Sequence, residues 1–287
     1  MEYKTGFTVK PYEVTVLGEV MFTDGTNNNI IPNQLQCEAY GYTYDKVSGT
    51  CSAFRYSTTL NPNISNTNNR LNGPGNTTQT GSNFIQVNGT RNTTRGLNTN
   101  CFINGSENDI SSGIDNASIN GSLGKALRQG EVVLGGGTDQ QLTGIRRQAG
   151  LSQSSTVQLS ASTTDATSTS MQVQDITDAY IELQINSIVG FEIHVTRLET
   201  GGTSGTAGNF SYHVIKGAVR CDNSGAVIIY TYSTTLISSL GVQGSVLAII
   251  TPVGTSSFTV KVTDVANVNN LWSATAYLHE LRTTSTF

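Results

Sequence analysis

The sequence predicts an all-β protein with an N-terminal β unit, a β-solenoid or β-roll stem and a C-terminal β-sandwich or jelly-roll domain. Three observations support this: a sixteen-residue repeat in the middle of the chain, few charged residues beside many strand-forming ones, and strand-like runs after the repeat. We expect residues 1–58 to form the N-terminal unit, 59–137 the stem, 138–150 a connector and 151–287 the C-terminal domain.

The stem is predicted from Asn-Gly pairs that recur sixteen residues apart. These pairs are Asn72-Gly73, Asn88-Gly89, Asn104-Gly105 and Asn120-Gly121. An apolar residue precedes each pair, and in three repeats a second apolar residue stands two positions earlier, so that both share one face of a strand. Glycine allows the positive φ of a sharp turn. A strand and a turn at constant spacing indicate solenoid coils stacked about 4.8 Å apart.

Two further features extend the repeat. Asn76, Asn92 and Asn108 form a second column in the same register, and stacked amides can hydrogen bond as a ladder. Residues 124–137 indicate a further, degenerate coil. Each coil offers few apolar side chains, which is a thin core for one chain. We therefore favour a homotrimeric stem around a common axis over a monomeric solenoid.

Composition excludes several classes of protein. Charged residues make up 13% of the 287 residues and the net charge is −4, while Val, Ile, Thr and Tyr recur in runs, a pattern that disfavours disorder. The 16 basic and 20 acidic residues predict no nucleic-acid partner. The longest apolar run, residues 246–250, is too short to span a bilayer, so we expect no membrane insertion.

The N-terminal unit is predicted from alternating apolar residues and a tyrosine cluster. Val20 and Phe22 follow strand spacing. Tyr40, Tyr42 and Tyr44 stand at every second position, which places their rings on one face of a strand. This stripe is either a docking surface for a larger assembly or the half-buried edge of a small core.

The four cysteines are scattered, without a CxxC pair. A Cys37–Cys51 disulfide would close the loop that holds Tyr42 and Tyr44. Residues 1–20 lack the apolar stretch of a signal peptide, so we expect the protein to be made in a cytoplasm. Reduced thiols are favoured there, and we favour them over the disulfide.

The C-terminal domain is predicted from eight short strands separated by Gly, Asn, Ser and Pro turns, the pattern of a β-sandwich or jelly roll. The predicted strands are Thr156–Ala161, Tyr180–Ile185, Phe191–Leu198, Phe210–Val219, Ala226–Tyr232, Ser245–Ile250, Phe258–Val262 and Trp272–Leu281.

Residues 103–287 resemble bacteriophage fibre proteins. The stretch 103–137 is similar to the Gly-punctuated repeats of trimeric adhesin heads and of phage fibres, with Asn-Gly where relatives often have Ala-Glu-Gly. The segments 157–173, 191–220 and 271–282 resemble, in order, a domain that often ends phage structural proteins, with Trp272 and Ala274 at its Trp-x-Ala position.

The resemblance implies a homotrimeric tail or head fibre that is exposed on the virion. Its N-terminal region would bind other virion proteins, and its C-terminal knob would attach to a glycan or protein of the host surface. Two alternatives remain open: a purely structural capsid decoration or head fibre, and a glycan-depolymerising tailspike.

The sequence provides no convincing catalytic, metal or cofactor motif, so we expect no enzyme, no cofactor and no metal site. His194, His213 and His279 form no HxH pair, and we expect His194 to be a surface or structural residue. Glycan hydrolysis usually needs two carboxylates about 5–9 Å apart. In the stem, Glu107 and Asp109 could provide them if they share a strand face, but they fall in a predicted turn.

Four aromatic residues of the C-terminal domain could stack on sugars. They are Tyr230, Tyr232, Trp272 and Tyr277. Packing in the core of the domain is our preferred interpretation for them, and we therefore assign no receptor-binding residue.

Overall fold

The computed structural model describes residues 2–15, 18–46, 48–53, 68–136, 148–241, 247–254 and 256–283. The chain divides into two compact units, Met1–Ser65 and Asn66–Phe287. The described part is all-β apart from one short helix, which confirms the predicted fold class. The predicted domain boundaries stay predictions, and the predicted connector lies outside the described residues except for residues 148–150.

The first unit contains two antiparallel hairpins and a helix. Its elements are β1 (Lys10–Val14), β2 (Val20–Thr23), α1 (Gln34–Ala39), β3 (Thr43–Asp45) and β4 (Thr50–Ser52). The helix was not predicted, because six residues show no helical period. Its sequence signal is a capping box: the Asn33 side chain accepts from the Gln36 backbone N–H, and the Gln36 side chain accepts from that of Asn33, both at 2.9 Å.

This helix overturns the prediction of one tyrosine-bearing strand face. Tyr40 caps the C-terminus of α1, whereas Tyr44 lies in β3. The Tyr40 ring packs edge-on against Phe22 at 5.6 Å, and its hydroxyl donates to the Val9 carbonyl at 2.7 Å. These contacts favour the interpretation of the tyrosines as the half-buried edge of a small core.

The cysteines also differ from the prediction. Cys37 and Cys51 form a disulfide, so the expectation of reduced thiols at these positions is wrong. It joins α1 to β4 in the core of the first unit, beside Val20 and Phe22. Cys101 is a free, buried thiol whose pKa burial raises to about 11, which keeps it protonated and unreactive.

The second unit begins with the predicted solenoid. One side consists of stacked parallel strands β5 (Arg70–Asn72), β7 (Gln86–Thr90), β9 (Phe102–Ser106), β11 (Ser118–Ser122) and β13 (Val132–Gly136). A second side consists of β6 (Thr77–Thr78), β8 (Thr93–Thr94), β10 (Asp109–Ile110) and β12 (Lys125–Ala126). Bridges between Asn83, Thr99 and Asp115 form a third side. The degenerate coil is confirmed, because Leu134 pairs with Asn120.

The Asn-Gly pairs lie inside strands and are not the turns that we expected. Asn88 and Gly89 belong to β7 and pair with Asn104 and Gly105 of the next coil. Gly89 has a φ of +123°, and a Cβ at this position would overlap the Gly105 carbonyl oxygen. The repeated glycine therefore permits both the backbone bend and the close stacking of coils.

The predicted asparagine ladder runs through the interior of the solenoid. Asn92 Nδ2 donates to Asn76 Oδ1, and Asn108 Nδ2 donates to Asn92 Oδ1, both at 3.0 Å. Asn108 Nδ2 also donates to the Gly121 carbonyl at 2.9 Å. Asn92 and Asn108 are buried, so the ladder satisfies polar groups inside an otherwise apolar core.

The rest of the second unit is built from two sheets over one core. Its strands are β14 (Ser152–Thr163), β15 (Thr169–Ser170), β16 (Gln172–Val173), β17 (Ile181–Glu182), β18 (Ser187–Gly201), β19 (Phe210–Cys221), β20 (Val227–Leu240), β21 (Leu247–Pro252), β22 (Ser257–Thr263) and β23 (Asn269–Arg282). The long sheet has the order β20-β19-β18-β23-β14 and continues through β13 into the solenoid. The short sheet centres on β22, and Phe191 and Phe258 meet between the two sheets.

Two predicted strands differ from the structure. The run Tyr180–Ile185 forms a strand over just Ile181–Glu182, because Leu183 instead donates its N–H to the Ser256 carbonyl in a loop contact. The run Ala226–Tyr232 continues to Leu240 as β20, because β19 pairs with it as far as Phe210. The other six predicted strands coincide with β14, β18, β19, β21, β22 and β23, although residues 245–246 of the predicted strand Ser245–Ile250 lie outside the described residues. The two-residue strands β15 and β16 were not predicted.

Candidate ligand-binding groove

One face of the long sheet packs on the core, and we call the opposite one the outer face. Alternation along β18 buries Val189, Phe191 and Ile193 and leaves Glu192 and His194 on the outer face. The strand register then aligns residues of five strands in one row across this face. The row is Lys216, Glu192, Tyr277, Thr156 and Val132.

A groove of about 570 Å³ lies on the outer face, where β13 meets β14, β23 and β18. Its lining combines apolar, aromatic, hydroxyl and ionisable side chains, as ligand sites commonly do. The lining residues are Val132, Leu134, Ser154, Ser155, Thr156, Glu192, His194, Tyr277, Leu278 and His279. Gly190 pairs with His279 and adds no side chain, and a Cβ there would meet nothing within 4 Å. The face is therefore open beside the groove.

A hydrogen-bonded chain fixes one wall of the groove. His194 Nε2 lies 3.0 Å from Glu192 Oε1, and His194 Nδ1 contacts the Tyr212 hydroxyl. Lys216 Nζ lies 3.0 Å from Glu192 Oε2. Hydrogen bonds from Lys216 and His194 lower the pKa of Glu192, so this carboxylate is charged at neutral pH. The Tyr277 ring meets the His194 ring edge-on at 5.4 Å.

The four aromatic residues that could stack on sugars lie in different environments. Trp272 is buried in the core, and its Nε1 donates to Thr163 Oγ1 at 3.0 Å, as core packing predicted. The prediction of core packing is wrong for the other three, because Tyr230 is 57% exposed, Tyr232 37% and Tyr277 44%. Of the four, Tyr277 is the one that lines the groove.

The three histidines also have different environments. His194 and His279 line the groove, whereas His213 is buried on the core side of β19. Burial, together with the charge of Arg197, lowers the pKa of His213, so it is neutral at physiological pH. The sequence alternation could have placed His194 and His279 on strand faces, but the inter-strand register needed to bring them together was not predictable.

The stem carboxylates do not form the pair considered for glycan hydrolysis. Glu107 sits at a coil corner with a φ of +58°, so it does not share an extended strand with Asp109. Its carboxylate pairs with Arg91 of the preceding coil, and Asp109 accepts from Arg95 Nε at 2.9 Å. Both residues therefore take part in ion pairs between coils.

Among the described residues, no cluster of three or more His, Cys, Asp or Glu side chains could hold a metal ion. Within the same ranges, no helix is long and apolar enough to cross a membrane.

No protein-family model matches the chain, and no curated protein matches its sequence. Solved structures that this chain resembles include the tailspike protein of Acinetobacter baumannii phage AM24. The two are 10% identical in sequence, and the TM-score is 0.28. The match covers 70% of this chain and 34% of the tailspike.

Two further tailspikes are similar. The tailspike of Acinetobacter baumannii bacteriophage Fri1, a capsular polysaccharide depolymerase, is 8% identical to this chain, with a TM-score of 0.24. That match covers 73% of this chain and 46% of the tailspike. The tailspike of Acinetobacter phage vB_ApiP_P1 is 11% identical to this chain, with a TM-score of 0.20, and the match covers 74% of this chain and 46% of the tailspike. The chain thus spans about a third to a half of these proteins.

These likenesses correct one prediction. We expected the chain not to be an enzyme, but one of the similar structures is described as a capsular polysaccharide depolymerase, which contradicts that expectation. We do not retain it.

Proposed function

We propose that this protein is a component of a homotrimeric bacteriophage fibre or spike on the virion surface, and that it attaches to a host-surface glycan through the outer-face groove. The observation that carries the proposal is the groove itself, with the exposed Tyr277 ring among fixed polar side chains. The resemblance of residues 103–287 to phage fibre proteins supports its placement on a virion.

A glycan fits the chemistry of the groove. The apolar face of a sugar ring can pack on the Tyr277 ring, which meets His194 edge-on and is held by that contact. Sugar hydroxyls both donate and accept hydrogen bonds. Glu192 offers an acceptor on one side of Tyr277, and Ser154 and Thr156 offer hydroxyls on the other side.

Trimerisation would strengthen such binding. A single open groove with one aromatic platform is expected to bind weakly. Three grooves on one particle raise the effective concentration of each after the first is occupied, so the avidity exceeds the single-site affinity. The N-terminal unit would bind other virion proteins.

The test is binding of the full chain to purified capsular or lipopolysaccharide glycans of candidate hosts. We expect Tyr277→Ala to weaken binding about tenfold, equivalent to about 1.4 kcal/mol. Leu271→Ala is the matched control, because this side chain is exposed on the same face of the same strand as Tyr277 but lies outside the groove. Equal binding by Tyr277→Ala and wild type would overturn the groove assignment. Failure of the wild type to bind any host glycan would favour a purely structural decoration.

A second candidate function is cleavage of the bound glycan, and the chain Glu192–His194–Tyr212 favours it. One ring nitrogen of His194 contacts a carboxylate and the other a phenol hydroxyl, so the imidazole is oriented to pass a proton. A positioned acid or base typically contributes 10²–10⁴-fold to a rate.

Release of new reducing ends from host capsule would measure this activity. We expect His194→Ala to abolish it and Glu107→Gln, in the stem, to leave it unchanged. Intact capsule after incubation with wild-type protein would exclude cleavage without affecting the binding proposal.

A further inference from the structure

Strand β20 is an unprotected edge of the long sheet. It is the last strand in the sheet order and pairs with β19 on one side, and no described strand pairs with its other side. Its fourteen residues, VIIYTYSTTLISSL, include no charged residue, proline or glycine. Edge strands of soluble proteins are usually protected by charged residues, by proline or by bulges.

Val227 and Ile229 at the start of the strand pack against the core, but from residue 231 onwards the strand is open on its faces as well as on its edge. Every residue from 231 to 240 is exposed, and successive side chains of a strand point to opposite faces. Six large apolar side chains are among the exposed ones. They are Ile228, Tyr230, Tyr232, Leu236, Ile237 and Leu240.

Two irregularities in the β19–β20 pairing do not remove this edge. The register shifts once between Gly217 and Val219 and once between Tyr212 and His213. Between them, Tyr232 to Leu236 pair regularly with Gly217 to His213. The central part of β20 therefore keeps a regular edge that another strand can extend.

We propose that β20 is the surface on which copies of this chain associate with one another. This rests on the proposed assembly of several copies and not on glycan binding. A strand without charge offers nothing for an oppositely charged partner to recognise, whereas its exposed Tyr, Leu and Ile side chains can pack against those of the same strand in other copies around a common axis.

The size of the surface suits the core of an association between copies. Fourteen residues at about 3.3 Å each extend roughly 46 Å, and a strand is about 4.8 Å wide, so the two faces of β20 offer on the order of 440 Å². This is about half of the roughly 800 Å² that each partner contributes to a standard interface, and neighbouring residues would supply the rest. Covering β20 would bury its six apolar side chains, which would stabilise the assembly through the hydrophobic effect.

The test is the molar mass of the full chain by light scattering. We expect a multiple of the 30.5 kDa chain mass for the wild type and a single-chain mass for the double variant Thr234→Lys/Leu236→Lys. Leu271→Lys/Ser273→Lys is the matched control, because it adds the same charge at exposed positions of β23 and should keep the wild-type mass. A monomeric wild type, or an unchanged mass in the β20 variant, would overturn the proposal.

Cross-linking keeps the proposal testable if the lysine variant fails to fold, which circular dichroism would reveal. Leu236→Cys with a bismaleimide should give bands at multiples of the chain mass, and Leu271→Cys should not. Absence of cross-linked bands from Leu236→Cys would count against association through β20.

Because the groove lies apart from β20, a monomeric variant should keep its single-site glycan affinity, and the two proposals can fail separately.

Discussion

At the scale of single residues, the glycine of each Asn-Gly pair has two physical roles. It adopts a backbone conformation that side chains disfavour, and it leaves room for the carbonyl oxygen of the neighbouring coil. Gly113 separates these roles, because it also has a positive φ, of +72°, but a Cβ there would meet nothing within 4 Å. The two positions therefore allow the conformational and the steric contributions to be measured apart.

We expect Gly89→Ala to lower the free energy of unfolding by about 3 kcal/mol, combining roughly 1–2 kcal/mol for the left-handed conformation and a similar amount for overpacking. Gly113→Ala should cost about 1–2 kcal/mol, from conformation alone. Urea unfolding followed by circular dichroism compares them. Equal losses in both variants would contradict the steric role of Gly89.

At the scale of elements, the solenoid was predictable and the groove was not. A sixteen-residue period is written in the sequence itself, because every coil repeats the same columns at Val87, Ile103 and Ile119. The groove instead depends on which strands become neighbours: Val132, Glu192 and Tyr277 are far apart in the chain and meet through strand register. The length of β20 was missed because its Ser/Thr-rich second half lacks an alternating apolar pattern.

The asparagine ladder provides a test of how the coils hold together. Asn92→Ala would leave the Gly105 carbonyl, the Asn108 backbone N–H and the Asn108 amide without the partner that Asn92 supplies. Each unsatisfied buried group costs about 1–3 kcal/mol, so we expect a loss of about 3 kcal/mol or more.

Asn72→Ala is its control. This asparagine belongs to an exposed outer ladder and donates to Asn88 Oδ1 at 2.7 Å. A surface change of this kind should stay within about 0.5 kcal/mol. Thermal unfolding of the two variants would measure the difference, and similar midpoints would contradict a stabilising role for the buried ladder.

At the scale of the whole second unit, a buried ion network joins the last coil to the sandwich. Arg128 follows β12 and contacts Glu131 of the same coil and Glu280 of β23, with a 2.8 Å distance between Arg128 Nη1 and Glu280 Oε1. Ser155 Oγ donates to Glu280 Oε1 at 2.9 Å. Nothing in the sequence marked these residues as partners, since Arg128 and Glu280 are 152 positions apart.

The network has an electrostatic consequence. Burial raises the pKa of Glu131. For Glu280 burial opposes ionisation, but the charge and hydrogen bonds of Arg128 outweigh it and lower the pKa. Arg128 is thus the cation that allows Glu280 to stay charged inside the protein, and its removal should leave both carboxylates buried without compensation.

We expect Arg128→Met to lower the free energy of unfolding by about 3–5 kcal/mol at pH 7. Without Arg128, the pKa values of both carboxyls would lie above their unfolded value of about 4.3, so the folded state would bind protons that the unfolded state releases. Stability of the variant should therefore be highest near pH 4 and fall as the pH rises. Urea unfolding at pH 4 and pH 7 would measure this dependence of stability on pH. The probe is the fluorescence of the single tryptophan, Trp272, in the adjoining core.

The control is Arg95→Met, which breaks an exposed ion pair and should lower the free energy of unfolding by under about 1 kcal/mol. A loss for Arg128→Met that is equal at pH 4 and pH 7 would mean that Arg128 acts through packing alone.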